Sequence, residues 1–284
     1  MTRQTWLITG ASSGLGRALA EHVLQAGDNA VLAARGIDAL RELAAPYQGQ
    51  ALPVRLDVTD AAQRAAAIEQ ALGRFGGIDV LVNNAAIDYV GAIEEQAEAD
   101  YRRTFEVNYF GAVEMTRLAL PGMRSRKQGM IVNVSSMDGF ASLPGNAFYS
   151  SSKFALEGLT EALWQEIEPI GLNALIVQPG SFRTGIENRT RPSGEPITDY
   201  AATTGAFRTL AQTVTPEMFP GDPVRAAREI WEVVKSPNPP HWLILGSDAY
   251  RRMSAKLAMF QAEFDNNANV APATDYPDAG TAVL

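Results

Sequence analysis

The sequence predicts a doubly wound α/β fold, with one parallel sheet in a single domain of 284 residues. Short apolar runs alternate with longer stretches of helical period, which is typical of repeated βαβ units. The apolar runs show little alternation with polar residues, as expected for strands that are covered on both faces of a sheet. Hydrophobic residues make up 46% of the chain, which is enough to bury one sizeable core.

The first half of the chain contains four apolar runs of strand length. Gly27 follows the first helical stretch as a suitable C-cap, and Asp60 is a favourable N-cap for the Ala-rich helix after it. The predicted elements are strands at 5–9, 30–33, 52–56 and 79–82, and a first helix at 15–26.

The second half continues this alternation and resumes it after a break. A long helical pattern covers residues 98–123, and Pro121 is expected to end or kink that helix. The segment 185–223 is rich in Gly, Pro, Thr and Ser and contains one short helical stretch, at 200–212. The other predicted elements are strands at 130–134, 173–177 and 242–245, and helices at 148–166, 224–234 and 249–264.

We expect residues 1–247 to form the α/β domain and residues 248–284 to form a C-terminal helix with a flexible tail. The tail from residue 266 onward is rich in Asn, Ala, Pro and Asp, a composition that does not favour a packed element.

Composition argues against several functional classes. Acidic residues outnumber basic ones by 32 to 24, and the net charge of −8 disfavours a nucleic-acid partner. No stretch approaches the ~18 consecutive apolar residues of a membrane span, and the N-terminus lacks the features of a signal peptide. The chain has two histidines and no cysteine, so we expect no metal site and a cytoplasmic location.

A glycine-rich turn lies between the first strand and the first helix. Gly10, Gly14 and Gly16 allow the chain to turn sharply there and let a pyrophosphate approach the backbone. The free N–H groups at the N-terminus of the helix would then face that anion. The spacing differs by one residue from G-x-G-x-x-G, but the position after a first strand favours a Rossmann-like dinucleotide site.

The same turn allows a second interpretation, because it also matches the G-x-S-x-G nucleophile elbow of α/β-hydrolases. Ser12 would then be the nucleophile of an esterase, and His241 is available as its base. This alternative has less weight, because the elbow of hydrolases normally follows several strands and because it leaves Gly16 unexplained.

Arg35 stands at the end of the second strand, directly after Ala34. A site that prefers NAD usually has an acidic residue at this point, which accepts a hydrogen bond from the ribose 2′-hydroxyl. A guanidinium would instead pair with a 2′-phosphate. We therefore predict NADP(H) as the preferred cofactor, with NAD(H) as the other candidate.

Tyr149 and Lys153 are four residues apart in a predicted helix, so both side chains lie on one face. An ammonium beside a phenol favours the phenolate and lowers the pKa of the phenol. Such a tyrosine can donate a proton to a carbonyl oxygen or accept one from an alcohol. Ser136 follows the fifth strand, where its hydroxyl could hydrogen-bond the same substrate oxygen. Asn108 is a polar residue in an otherwise apolar helix.

Together these motifs resemble the short-chain dehydrogenase/reductase superfamily, in its single-domain branch. Residues 9–16 are similar to the cofactor turn T-G-x-x-x-G-x-G, and residues 83–86 to the N-N-A-G motif, with Ala86 in place of glycine. Residues 179–184 resemble the P-G segment whose Thr contacts the nicotinamide. The catalytic positions of the family are matched by Asn108, Ser136, Tyr149 and Lys153. The resemblance covers residues 5–185.

The resemblance implies a role for each matched residue. Tyr149 would be the general acid in reduction, while Lys153 lowers its pKa and holds the nicotinamide ribose. Ser136 would polarise the substrate carbonyl, and Asn108 would hold a water that relays protons to Lys153. The cofactor-binding residues so implied are Gly10, Ser12, Ser13, Gly14, Leu15, Gly16, Arg35, Asp57, Val58, Asn84, Ala85, Tyr149, Lys153, Pro179, Gly180, Phe182 and Thr184.

We therefore expect an NADP(H)-dependent oxidoreductase that transfers a hydride between nicotinamide and a secondary alcohol or ketone. The resemblance also implies a mobile substrate lid at 185–223 and a homodimer or homotetramer. A non-catalytic, dinucleotide-sensing relative is disfavoured, because all four catalytic positions are filled. Candidate pocket residues are Phe140, Leu143, Phe182 and Ile186, with Asp88 and Asp138 as candidate contacts of a polar substrate.

Overall fold

The computed structural model describes residues 3–185 and 190–276. The predicted pocket residue Ile186 and residues 277–284 of the predicted tail lie outside this range. The strands are β1 (Thr5–Thr9), β2 (Asn29–Ala34), β3 (Ala51–Arg55), β4 (Val80–Asn83), β5 (Tyr89–Val90), β6 (Met130–Val134), β7 (Asn173–Pro179), β8 (Arg191–Pro192) and β9 (Trp242–Leu245). The α-helices are α1 (Gly14–Gln25), α2 (Ile37–Ala44), α3 (Ala61–Phe75), α4 (Glu98–Phe105), α5 (Gly111–Arg126), α6 (Ala147–Ile167), α7 (Ala206–Thr213), α8 (Pro223–Val234) and α9 (Ser247–Asn266).

The main sheet has seven strands in the order β3-β2-β1-β4-β6-β7-β9, and all neighbouring pairs are parallel. The chain winds outward from β1 to β3, returns to place β4 beside β1, and then winds outward to β9. The carboxyl ends of β1 and β4 therefore meet where the winding reverses, which is where open α/β sheets bind ligands. The short strands β5 and β8 pair with each other outside this sheet.

Two hydrophobic clusters cover the two faces of the sheet. Trp6 and Ile8 of β1 belong to one cluster, which includes buried side chains of α1 and α8. Leu7 of β1 belongs to the other, which includes buried side chains of α3, α5 and α6. Successive residues of a strand point to opposite faces, so β1 is apolar throughout because both faces are covered. The predicted doubly wound single domain is confirmed.

The sequence predicts that Pro121 ends or kinks the long helix. In the structure Pro121 does not end it. α5 continues through it to Arg126, because Pro121 and Arg117, whose carbonyl loses its helical partner, both lie on the exposed side. The long predicted helix is instead interrupted earlier, by a π-helical turn at Glu106–Phe110 that contains Asn108. Such π-helical turns occur often at functional sites.

Part of the segment 185–223 is firmly attached to the loop before α4. The buried carboxylate of Glu95 and the largely covered guanidinium of Arg208 form a salt bridge of 2.8 Å. Glu95 Oε1 also accepts a hydrogen bond of 2.8 Å from the Ile197 N–H. Arg208 donates further hydrogen bonds to the carbonyls of Ser193 and Gly194. Residues 193–208 are therefore tied to the domain by buried, charge-assisted contacts.

The C-terminal part of the described chain is mostly helical. α9 begins at Ser247 and ends at Asn266, and a single 3-10 turn follows at Pro272–Thr274. Across the described ranges, no helix combines the length and apolar character that crossing a membrane requires.

Candidate active site

The glycine-rich turn has the backbone that a dinucleotide site requires. Gly10 and Gly14 have φ angles of 68° and 59°, in the left-handed region that favours glycine. A Cβ on Gly16 would lie 2.3 Å from Asn84 Nδ2 and 2.6 Å from the Gly10 carbonyl oxygen. The turn is thus closed too tightly for side chains at these positions, and α1 begins within it at Gly14.

Thr9 joins this turn to the loop that follows β4. Its hydroxyl donates to the Val82 carbonyl at 3.2 Å and accepts from the N–H groups of Asn84 and Ala85, at 2.9 and 3.1 Å. Asn84 Nδ2 in turn donates to the Thr9 carbonyl at 2.9 Å. The structure therefore brings Asn84 and Ala85 against Gly10 across the point where the winding reverses, and Thr9 is the residue that sequence reasoning did not assign.

Two arginines line a cavity of about 460 Å³ beyond the ends of β2 and β3, together with Asp57 and Gln63. They are Arg35 and Arg55, and Arg55 lies beside Ala34 in the register of the two strands. Sequence reasoning missed Arg55, because the exposed last residue of a strand carries no motif. Val58, which follows Asp57, is buried against Gly111.

Asp57 is already engaged by a cation. Its Oδ2 is 2.9 Å from Arg103 Nη2, and its Oδ1 accepts from the backbone and the hydroxyl of Thr59. Burial opposes ionisation, but the hydrogen bonds from Thr59 and Arg103 outweigh it and lower the pKa of Asp57. Within the described ranges, Arg35 and Arg55 have no carboxylate partner of this kind, so the cavity presents two guanidinium groups.

The predicted acid–base residues meet at the carboxyl edge of the sheet. Ser136 follows β6 and caps a 3-10 turn, its hydroxyl accepting from the Asp138 N–H at 3.1 Å. Tyr149 lies in the first turn of α6 and forms a side-chain hydrogen bond with Ser136. The two hydroxyl groups can therefore address one substrate oxygen.

The pKa of Tyr149 does not shift in the direction that the sequence suggested. Burial raises it first, and the negative charges of Asp138 and Asp88 raise it further, while the hydrogen bond with Ser136 lowers it only in part. Lys153 does not lower the pKa of Tyr149 as predicted, because its ammonium points to the Val134 carbonyl. Lys153 Nζ is 5.8 Å from the centre of the Tyr149 ring.

Lys153 is buried and donates from Nζ to the Val134 carbonyl at 2.8 Å. Burial lowers the pKa of Lys153 to about 8, although the charges of Glu157 and Asp88 raise it in part. The ammonium of Lys153 is thus held at Val134, the last residue of β6, within the same site as Tyr149.

Asn108 connects three parts of this site. Its Oδ1 accepts from the Ile87 N–H at 2.8 Å, and its Nδ2 donates to the Ile87 carbonyl at 2.9 Å and to Ser152 Oγ at 3.1 Å. Because the π-helical turn widens the helix at this point, the buried amide reaches both the loop after β4 and the helix that carries Tyr149. Its predicted role in holding a water remains a prediction.

The remaining predicted residues lie at the end of β7. Pro179 is the last residue of that strand, and the Gly180 N–H donates to the Leu245 carbonyl at 2.8 Å. A Cβ on Gly180 would lie 2.3 Å from Asp248 Oδ1, so the chain passes closely under α9. Phe182 is buried, and the Thr184 hydroxyl donates to its carbonyl at 3.3 Å.

Comparison with known proteins agrees with this geometry. A family model described as short chain dehydrogenase matches residues 4–195. The chain belongs to the short-chain dehydrogenase family. It is 35% identical over 249 residues to "Oxidoreductase BOA17" of Botryotinia fuckeliana, an alignment that covers 86% of this chain and 89% of that protein. A crystal structure of a short-chain dehydrogenase from Streptomyces avermitilis is 40% identical, has a TM-score of 0.89, and is matched over 99% of its length and 96% of this chain.

Two more distant structures share the fold and were solved with dinucleotides. An alcohol dehydrogenase from Thermococcus sibiricus, complexed with 5-hydroxy-NADP, has a TM-score of 0.71 at 23% identity and covers 86% of this chain and 96% of its own. A short-chain dehydrogenase/reductase from Burkholderia phymatum, in complex with NAD, has a TM-score of 0.77 at 24% identity. The alignment covers 99% of this chain and 98% of that one. These two structures share the fold of this chain, and its membership of the short-chain dehydrogenase family makes it an oxidoreductase of CH–OH or carbonyl groups.

The esterase alternative fails in this short-chain dehydrogenase. Ser12 lies at the carboxyl edge of the sheet, whereas His241 directly precedes β9 and is therefore at the amino edge. His241 is 2.6 Å from Glu168 and stacks on Trp164, while His22 packs against Trp231. Both histidines are structural. In the described parts of the chain no cluster of His, Cys, Asp and Glu side chains suits a metal ion.

Two acidic residues, Asp138 and Asp88, lie within electrostatic reach of Tyr149. Asp138 is bonded to Arg252 of α9, which also donates to the Ala141 carbonyl. Asn146 Nδ2 donates to the other oxygen of Asp138 at 3.0 Å. Asp88, in the loop after β4, is the second acid of the pair. Sequence reasoning missed Arg252, which is distant in the chain and carries no motif.

Proposed function

We propose that the protein is an NADP(H)-dependent oxidoreductase that interconverts a ketone and a secondary alcohol, with Tyr149 as general acid and base. The observation that carries the proposal is the hydrogen-bonded pair of Tyr149 and Ser136 at the carboxyl edge of the sheet, with Lys153 buried one helical turn away. This arrangement supports proton transfer to an oxygen atom that both hydroxyl groups can reach.

The residues present suit a nicotinamide dinucleotide, which when bound supplies the hydride. The glycine-rich turn and the N-terminus of α1 would bind the pyrophosphate, and Asn84 and Ala85 would line the adenosine side. In reduction, Tyr149 donates its proton to the carbonyl oxygen while Ser136 holds that oxygen in place. The raised pKa of Tyr149 keeps the phenol protonated before that step. Lys153 would turn from the Val134 carbonyl toward the ribose and stabilise the phenolate that forms.

The preference for NADP(H) is supported by Arg35 and Arg55. The two guanidinium groups flank one cavity, and the single carboxylate there is paired with Arg103, so an anion would meet positive charge without competition. A ribose with two free hydroxyls would leave both arginines without a partner. We therefore infer that Arg55 assists Arg35 in binding a 2′-phosphate.

Fluorescence titration with NADPH and NADH tests this cofactor assignment. The unmodified protein should bind NADPH at least roughly tenfold more tightly, and Arg35→Ala and Arg55→Ala should each lose most of that preference. NADH binding should change little in either variant. Arg41→Ala, which removes an exposed arginine paired with Asp38, is the matched control and should behave as the unmodified protein.

Equal losses for both dinucleotides would contradict the 2′-phosphate role of the two arginines. If NADPH bound without any turnover across a panel of ketones and secondary alcohols, the dinucleotide-sensing alternative would replace the enzymatic one.

We also propose a homo-oligomer located in the cytoplasm. The side chains of Leu257, Phe260 and Phe264 on α9 are more than half exposed, which is unusual for a monomer surface, and the chain has no cysteine. Light scattering coupled to size exclusion should give a mass of two or four times 30.6 kDa. A monomer at micromolar concentration would refute the oligomer.

A further inference from the structure

Asp88 has a carboxylate oxygen that nothing in the described structure satisfies. Its Oδ2 accepts a long hydrogen bond of 3.4 Å from the Thr190 hydroxyl, and the Tyr89 N–H adds a backbone hydrogen bond. Its Oδ1 is buried and has no hydrogen-bond partner among residues 3–185 and 190–276. A buried polar oxygen without a partner is costly, so such a group in a binding site indicates a missing donor.

The charged groups around Asp88 do not supply that donor. Asp138 forms an ion pair with Arg252 and a hydrogen bond with Asn146, and its charge repels a negative charge on Asp88. Lys153 attracts it, but the Lys153 ammonium is bonded to the Val134 carbonyl. The Arg191 N–H bonds the Asp88 carbonyl, while the Arg191 side chain is exposed.

Among the described residues, this site therefore has more acidic than basic groups. Asp88, Asp138 and Glu157 are acidic, whereas Lys153 and Arg252 are basic, and both basic groups already have partners. The charges of Asp88 and Asp138 both act on Tyr149, which places them within electrostatic reach of the proton donor. A cation bound near Tyr149 would offset this excess of negative charge.

We propose that Asp88 is a specificity-determining residue, whose Oδ1 binds a protonated amine of the substrate. The substrate class is then amino ketones and the corresponding amino alcohols. This inference rests on the proposed function, because it names the substrate class of the same site.

Binding of an amine by Asp88 should depend on pH, because it requires the deprotonated carboxylate. Burial, assisted by the charge of Asp138, raises the pKa of Asp88 to about 7. An ammonium group requires the carboxylate form, so its binding should strengthen as the pH rises through 7 and weaken as it falls below. Lys153 and Tyr149 also face this site, and the pKa of Lys153 is about 8, so the comparison is confined to the range below that value.

The test measures binding with two ligands of matched shape, benzylamine and benzyl alcohol, by calorimetry on the protein saturated with NADPH. At about pH 7.5 benzylamine should bind roughly tenfold or more tightly than benzyl alcohol, and the ratio should shrink at about pH 6. Asp88→Asn, which keeps the shape and removes the charge, should bring the ratio to about one. Asp88→Glu should retain part of it, and Asp265→Asn, on the exposed end of α9, should retain all of it.

Two results would overturn the inference: benzylamine binding no more tightly than the alcohol, or an amine preference that persists in Asp88→Asn. If Asp88→Asn did not fold, the ligand ratio in Asp88→Glu and its pH dependence in the unmodified protein would decide. Failure of the proposed function is seen separately, as absence of NADPH oxidation with both neutral ketones and amino ketones. In that case the ligand ratio can still be measured on the cofactor-free protein.

Discussion

Tyr149→Phe should lower the rate of ketone reduction by roughly 10²–10⁴-fold, because it removes the hydroxyl that we propose as the proton donor to the carbonyl oxygen. The ring and its packing are retained, so the loss should appear in kcat while NADPH affinity changes little. The measurement is steady-state NADPH oxidation combined with a fluorescence titration of the same preparation.

The control for this substitution is Tyr250→Phe. Tyr250 is 66% exposed on α9, so the same loss of a hydroxyl there should leave kcat unchanged. If the kcat of Tyr149→Phe were within a factor of about three of that of the unmodified enzyme, another group would have to supply the proton.

Gly16→Ala should abolish dinucleotide binding at ordinary concentrations. The added Cβ would lie 2.3 Å from Asn84 Nδ2 and 2.6 Å from the Gly10 carbonyl oxygen, closer than such atoms can approach. The Gly10 backbone cannot move without opening the turn that we propose to bind the pyrophosphate. We expect a loss of NADPH affinity of more than about tenfold and a destabilisation of about 1–3 kcal/mol, measured by titration and by denaturant unfolding.

Gly73→Ala is the matched control, because Gly73 lies within α3 and no atom from outside its own stretch of that helix lies within 4 Å of the position of its Cβ. A glycine replaced by alanine at an open helical position should be neutral or slightly stabilising. NADPH affinity in Gly16→Ala equal to that in Gly73→Ala would show that the turn does not bind the pyrophosphate.

The strands were predictable because their signal is local. β1, β6 and β9 have the predicted bounds, and the other strands of the main sheet differ from prediction by at most two residues at either end. A run such as Met130–Val134 is apolar because both faces of the sheet are covered, and no distant residue changes that. The cofactor turn and the spacing of Tyr149 and Lys153 were predictable for the same reason.

Features that depend on distant contacts could not be predicted. Arg252 reaches Asp138 across more than a hundred residues, and Arg208 reaches Glu95 in the same way. The π-helical turn around Asn108 is stabilised by Ile87 and Ser152, which belong to other elements. The prediction that the pKa of Tyr149 is lowered was wrong for this reason too, since the shift depends on burial and on where Lys153 Nζ points.

The strand order has a consequence for how the site comes into existence. β1, which ends in the cofactor turn, and β6, which leads to Ser136, are separated in the sheet only by β4. Pairing β4 with β1 and β6 closes long loops of chain, and such non-local steps are slow in folding. The glycine-rich turn and the residues proposed to transfer the proton are therefore joined in the sheet through β4 alone. A ligand that contacts both groups of residues would link β1 and β6 across β4. Its binding should therefore raise the free energy of unfolding of the whole molecule and not only stabilise its own pocket.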